Sequence, residues 1–151
     1  MTVKLIQCPS HLATRSPASG RWLHIGTWKC PHEGSVLVIE AVTGGGWSGG
    51  HPWQIQNTSL MLKQSNGPEQ CGCRMRTTDD TSKNGGKVIR LGDNGGTYPV
   101  SYGIWLWCSY EYAAVTWHAW GDGDFDPAPE DDWTDEPSGE SMPMDVLAWS
   151  A

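Results

Sequence analysis

Helical periodicity is the first thing this sequence lacks: no window of its 151 residues sustains apolar side chains at helical spacing. Phenylalanine is nearly missing, with Phe125 alone against ten tryptophans. No apolar run approaches the roughly 20 residues that span a bilayer, so no membrane partner is expected. No dense basic stripe is present either, which argues against nucleic acid. The opening Met1–Pro9 stretch is too short in apolar residues for a secretory signal. Synthesis in a cytosol, with release by lysis, is the expectation. Catalytic motifs are missing as well: no G-x-S-x-G, no H-E-x-x-H and no phosphate-binding glycine loop. The acid pair Asp131-Asp132 falls in a tail that offers no fixed separation for glycoside hydrolysis. On those absences neither an enzyme nor a cofactor is expected.

Cysteine is present but unpatterned. Five residues (Cys8, Cys30, Cys71, Cys73, Cys108) are odd in number and irregular in spacing, so free thiols are the default. Cys30, His32, Cys71 and Cys73 could together make four zinc ligands, yet neither pair has the C-x₂₋₄-C spacing of structural sites. They are weak candidates, and no metal is expected.

What the sequence has is glycine (19), proline (10) and an uneven charge. All ten Lys and Arg precede residue 91, whereas ten of the seventeen acids follow residue 120. The chain therefore divides into a lead-in (1–20), a body (21–120) and an acidic, Trp-bearing arm (121–151).

The body alternates as strands do. Trp22–Trp28 places Leu23 and Ile25 on one face and Trp22 and His24 on the other. Ser35–Thr43 is rich in β-branched residues. Thr43–Trp53 carries five glycines in seven positions and reads as a loop holding Trp47, His51 and Trp53. Gln54–Gln64 and Lys87–Leu91 follow as strands, separated by a polar, punctuated stretch over 68–86. Gly103–Cys108 and Ala113–Trp120 read as two arms of a hairpin. Six or seven short strands separated by turn signals predict an all-β, antiparallel β-sandwich of jelly-roll type.

These residues resemble the small β-sandwich domains of bacteriophage tail fibres and other virion appendage or decoration proteins. The likeness covers about residues 20–120. Its carriers are Trp22–Trp28, the Val36–Val42 strand with its glycine-rich loop, the middle strand closing on Ser65-Asn66-Gly67, and Tyr102–Trp107 with Val115-Thr116-Trp117. The resemblance implies a virion structural protein, a homotrimer located in the virion with other virion proteins as partners. Such a protein is a tail or head fibre that touches a host glycan or protein, or a capsid decoration protein. The alternative is a lectin-like, carbohydrate-binding module of cellular origin.

Three regions are candidate sites. In the glycine-rich loop, Trp47 and Trp53 could stack on sugar rings with His51 hydrogen bonding, or could pack on the sandwich. Trp105 and Trp107 share one strand face, opposite Ile104 and Leu106. That face is either a subunit interface or, with the faces reversed, the core. Trp117, Trp120, Trp133 and Trp149 join the interface set. Gly121–Asp126 has the alternating acids of a calcium loop, but Pro127 and Trp133 stand where an EF-hand needs Gly and a carboxylate. An extended acidic arm, lying across a neighbouring subunit or a basic patch on a partner, is the favoured reading of the tail.

Overall fold

The computed structural model describes residues 4–12, 21–43, 56–68, 70–78, 85–108, 114–129 and 132–148. Twelve strands run through them. They are β1 (Lys4–Leu12), β2 (Arg21–Cys30), β3 (Val36–Thr43), β4 (Gln56–Gln64), β5 (Cys71–Thr77) and β6 (Gly86–Gly92). Then come β7 (Val100–Cys108), β8 (Ala114–Gly121), β9 (Asp124–Pro127), β10 (Trp133–Thr134), β11 (Glu140–Ser141) and β12 (Met144–Ala148). No helix occurs among the described residues, so none there could cross a membrane.

The fold is an all-β sandwich. Sheet I has the order β1-β8-β3-β4-β5-β12, and sheet II has β10-β2-β7-β6-β11, with β9 also pairing β2. All pairings are antiparallel except β12 on β5, which is parallel. The β1–β8 and β2–β7 pairs follow the outer nesting of a jelly roll, but β3 and β6 lie in different sheets, so the resemblance to a jelly roll is partial.

Alternation places the core. Leu37, Ile39 and Ala41 of β3, Leu60 and Leu62 of β4, and Cys71, Cys73 and Met75 of β5 point inward. They meet Leu23, Ile25 and Trp28 of β2 and Tyr102, Ile104 and Leu106 of β7. Each such side chain, fully buried, contributes about 1.5–3 kcal/mol. A bulge between His24 and Gly26 shifts the β2 register, so Leu23, Ile25, Trp28 and Cys30 all face inward. Two interior polar groups find partners: the Trp28 indole donates to the Asp122 carbonyl at 2.8 Å, and the Tyr102 hydroxyl donates to Gln64 Oε1 at 2.7 Å.

Two sequence expectations change. Gly103–Cys108 and Ala113–Trp120 are not a hairpin, because β7 pairs β2 and β6 in sheet II while β8 pairs β1 and β3 in sheet I. Both strands carry a buried apolar face (Ile104 and Leu106; Val115, Trp117 and Ala119), and the sandwich buries both by setting the strands in opposite layers. The stretch 68–86 contains β5, whose cysteines are core residues.

The sheets also draw strands from the lead-in and the arm. β1 pairs along β8. After β8 the chain returns along the free edge of β2: β9 pairs Gly26–Lys29 and β10 pairs Trp22 and Leu23. The Ala128 amide donates to Ile25 and the His24 amide to Asp132, completing that edge. From Thr134 to Glu140 the chain then crosses sheet II to the opposite edge, where β11 pairs β6. Four strand spacings are ~19 Å and six extended residues ~20 Å, so the crossing is nearly straight. Met142 next inserts between the sheets, 5% exposed, and β12 closes the edge of β5. Residues 124–129 and 132–148 form a belt that covers three otherwise open edges. The tail was expected to lie on a neighbour; its described part is paired within its own chain.

Candidate functional site

The outer face of each sheet presents one histidine stacked on one tryptophan beside a carboxylate. On sheet II, His24 stacks on its cross-strand partner Trp105, with centroids 4.5 Å apart and planes at 17°. His24 Nδ1 is 2.9 Å from Asp132 Oδ2, and Nε2 is 3.1 Å from the Gly26 carbonyl, so both ring nitrogens are engaged. On sheet I, His118 stacks on Trp120, centroids 5.3 Å apart and planes at 16°. Its Nε2 lies 3.7 Å from the carboxylate of Glu40, its cross-strand partner.

The two faces differ in what surrounds the stack. Sheet II is crossed by the belt, whose Glu136 pairs with Lys87 and whose Gly139 lies against Ile89. On that face Trp22 is 2% exposed and Trp107 9%, in edge-to-face contact 5.3 Å apart. No such crossing covers sheet I among the described residues. Register sorts its outward side chains into transverse rows. One row runs His118, Glu40, Ser59, Arg76, and the next runs Trp120, Val38, Met61, Arg74. Beyond the first row, Thr116, Val42 and Asn57 form another, and beyond the second come Val36, Lys63 and Gly72.

Two grooves lie on this face. The first, about 320 Å³, is lined by Glu40, Val42, Asn57, Ser59, Thr116 and His118. It offers a carboxylate, an amide, hydroxyls and an imidazole around an exposed valine. The second, about 480 Å³, is lined by Val36, Val38, Met61, Lys63, Gly72 and Arg74 among others. Its walls are largely apolar, because Val36, Val38 and Met61 face outward while Leu37, Leu62 and Cys73 alternate into the core. A polar row flanking an apolar row suits a ligand with one hydroxylated edge and one apolar face.

Of the candidates named from sequence, Trp47, His51, Trp53 and Trp149 lie outside the described residues. Trp117 is a core residue, packed edge-on against Phe125 with centroids 5.4 Å apart. Trp133 is half-buried against the core, and its Nε1 has no hydrogen-bond partner among the described residues. Trp107 is covered within the chain, which leaves Trp105 and Trp120 half-buried on opposite sheets. Cys30, Cys71 and Cys73 are buried and His32 is exposed. No group of three metal-ligating side chains converges among the described residues. Asp122, which opens the calcium-like stretch, is buried and spends its carboxylate on the Val36 amide at 3.0 Å.

Sequence reasoning missed Glu40, Asn57, Ser59 and Arg76 as site residues. Alternation put each on an outward face, but only strand pairing brings residues 40, 59, 76 and 118 into one row.

No protein-family model and no curated protein matches the chain. Among solved structures it is similar to part of Pantoea stewartii WceF, described as a glycan biofilm modifying enzyme with a bacteriophage tailspike-like parallel β-helix fold. The TM-score is 0.52 at 8% identity, over 89% of this chain and 21% of that one. The chain thus spans about a fifth of that protein's length, and the likeness is one of fold. It corrects one expectation. The lack of hydrolase motifs was read as excluding an enzyme, but the solved protein whose part resembles this fold is itself described as an enzyme. Motif absence tested only particular reaction classes, so the exclusion does not stand.

Proposed function

We propose that this chain is the glycan-contacting sandwich of a bacteriophage appendage, a virion structural protein that presents the outer face of sheet I to a surface polysaccharide. One observation carries the proposal: the His118–Trp120 stack, with Glu40 beside it, borders a groove lined by Asn57, Ser59 and Thr116. Aromatic rings offer apolar contact to the flat face of a sugar, and amide, hydroxyl and carboxylate groups match its hydroxyls. The likeness to a tailspike-like protein that modifies a glycan biofilm supports the same reading.

A glycan array probed with the full chain, and with Trp120→Ala and Asn57→Ala variants, tests it. Binding by the wild type, lost or at least tenfold weaker in both variants, is the expected result. Array silence from a folded wild-type chain would overturn the proposal. Equal binding by all three proteins would move the site elsewhere.

A further inference from the structure

The chain carries a net charge of −7, yet its outer sheet I face holds two cations with no ion pair among the described residues. On sheet II two of the outward cations are taken, Lys87 by Glu136 and Arg90 by Asp93 at 3.0 Å and Glu140 at 3.4 Å, while Lys29 forms no ion pair among the described residues. On sheet I, Arg74 has Asp145 at 3.5 Å. Lys63 and Arg76, both exposed, form no ion pair among the described residues. Lys63 is paired across strands with Gly72, and Arg76 lies four residues further along β5. The two cations therefore stand about 13 Å apart along the strand direction.

The larger groove of this face has Lys63 in its wall beside the Arg74–Asp145 pair, and Arg76 stands one outward row beyond it. Its floor is low at Gly72, where an added Cβ would meet nothing nearer than the Lys63 carbonyl at 3.8 Å. That glycine has no left-handed backbone requirement and no close neighbour, so neither local geometry nor packing demands it. Its effect is to leave a depression beside Lys63. Val36, Val38 and Met61 wall the depression with apolar surface, Met61 being 40% exposed.

We infer that the ligand of this face is an acidic polysaccharide, its carboxylates met by Lys63 and Arg76 and its sugar rings seated over the Gly72 groove. This rests on the glycan reading above and adds the chemical class. Charge complementarity selects the occupant: Lys63 in the trough's wall and Arg76 one row beyond it, neither in an ion pair among the described residues, fit an extended polymer with a charge every few rings. A neutral glycan would use the trough but leave both cations idle.

The test is titration calorimetry of the full chain with polygalacturonate and with dextran, at low and raised salt. Wild type should bind polygalacturonate in preference to dextran, and added salt should weaken that binding. The Lys63→Gln/Arg76→Gln double variant should lose tenfold or more of its affinity for polygalacturonate, since hydrogen bonds to charged groups are the strong ones. Gly72→Val should block the groove while leaving thermal unfolding unchanged or raised, because a β-branched residue suits an exposed strand position. Equal affinity for dextran and polygalacturonate would overturn the acidic class and leave the glycan reading standing. Equal affinity for polyglutamate and polygalacturonate would reduce the site to an anion attractor and also overturn the inference. Silence toward both polysaccharides and toward the array would overturn both readings together. A second copy is the other conceivable occupant: sedimentation showing a dimer that the double variant abolishes would overturn the polysaccharide.

Discussion

The Lys87 ammonium stands 5.1 Å above the centre of the Trp22 ring and is held by the Glu136 carboxylate of the belt. Cation, ring and strap thereby lock one another on the outer face of sheet II. Lys87→Ala should cost about 1 kcal/mol, from the lost cation–π contact and the uncovered ring. Glu136→Gln should cost no more than ~0.5 kcal/mol, since that carboxylate is mostly exposed and its ion pair is screened by water. Urea unfolding of the two variants measures the difference.

Two glycines on opposite sheets should respond oppositely. At Gly26 an added Cβ would stand 2.5 Å from the Asp126 carbonyl and 2.7 Å from the Phe125 ring, so Gly26→Ala must push β9 off the edge of β2. A loss of 1–3 kcal/mol, roughly the cost of overpacking, is expected. Hydrogen exchange should show faster exchange of the β9 amides. Gly72→Ala meets only the Lys63 carbonyl, at an ordinary 3.8 Å, and should leave stability within ~0.5 kcal/mol of wild type.

Met142 is the belt's anchor between the layers. Met142→Ala should destabilise the chain by about 2–5 kcal/mol, the usual cost of emptying a buried methionine site. A chain truncated before Asp124 would lose Phe125 and Met142 from the core and open the edges of β2, β6 and β5. It should form insoluble or higher-order species in size-exclusion chromatography.

Alkaline pH should weaken the fold. The hydrogen bond to Cys73 and then burial push the Cys71 thiol well above its ordinary 9.0, and burial above all raises Cys30. The Tyr102 phenol is likewise raised above 10.0, chiefly by burial. Each group is neutral in the fold, and the unfolded chain ionises first. Stability from these groups is therefore complete below the ordinary values and declines as pH rises through them. The urea midpoint should be lower at about pH 10 than at about pH 8, and Cys71→Ala should make that fall shallower. In the native state at about pH 8, Cys30 and Cys71 should resist iodoacetamide until the chain unfolds.

The sequence made β2 legible by its alternation, β3 by its β-branched run, and β4 and β6 as short apolar stretches between turn signals. It did not disclose β1, where Pro9 argued against a strand. Pro9 falls inside an irregular register between Cys8 and His11 of an edge strand, where a missing amide is tolerated. β5 was hidden because Cys71 and Cys73 were weighed as ligands, although Cys-Gly-Cys-Arg-Met-Arg alternates as cleanly as any strand here. The belt was illegible for a different reason. Strands of two to five residues have no period of their own and form only because edges already exist to receive them. Likewise, no local signal sets Glu40 beside His118 or Ser59 beside Arg76; strand register does.

The order of synthesis gives the belt a further consequence. Residues 124–148 leave the ribosome after every strand they close, so the growing chain carries three bare hydrogen-bonding rims until translation passes Ala148. During that interval nascent chains on one message are exposed to pairing with each other. The same belt can be donated to the neighbouring chain's rims, and copies that emerge close together have that route to becoming physically interlinked.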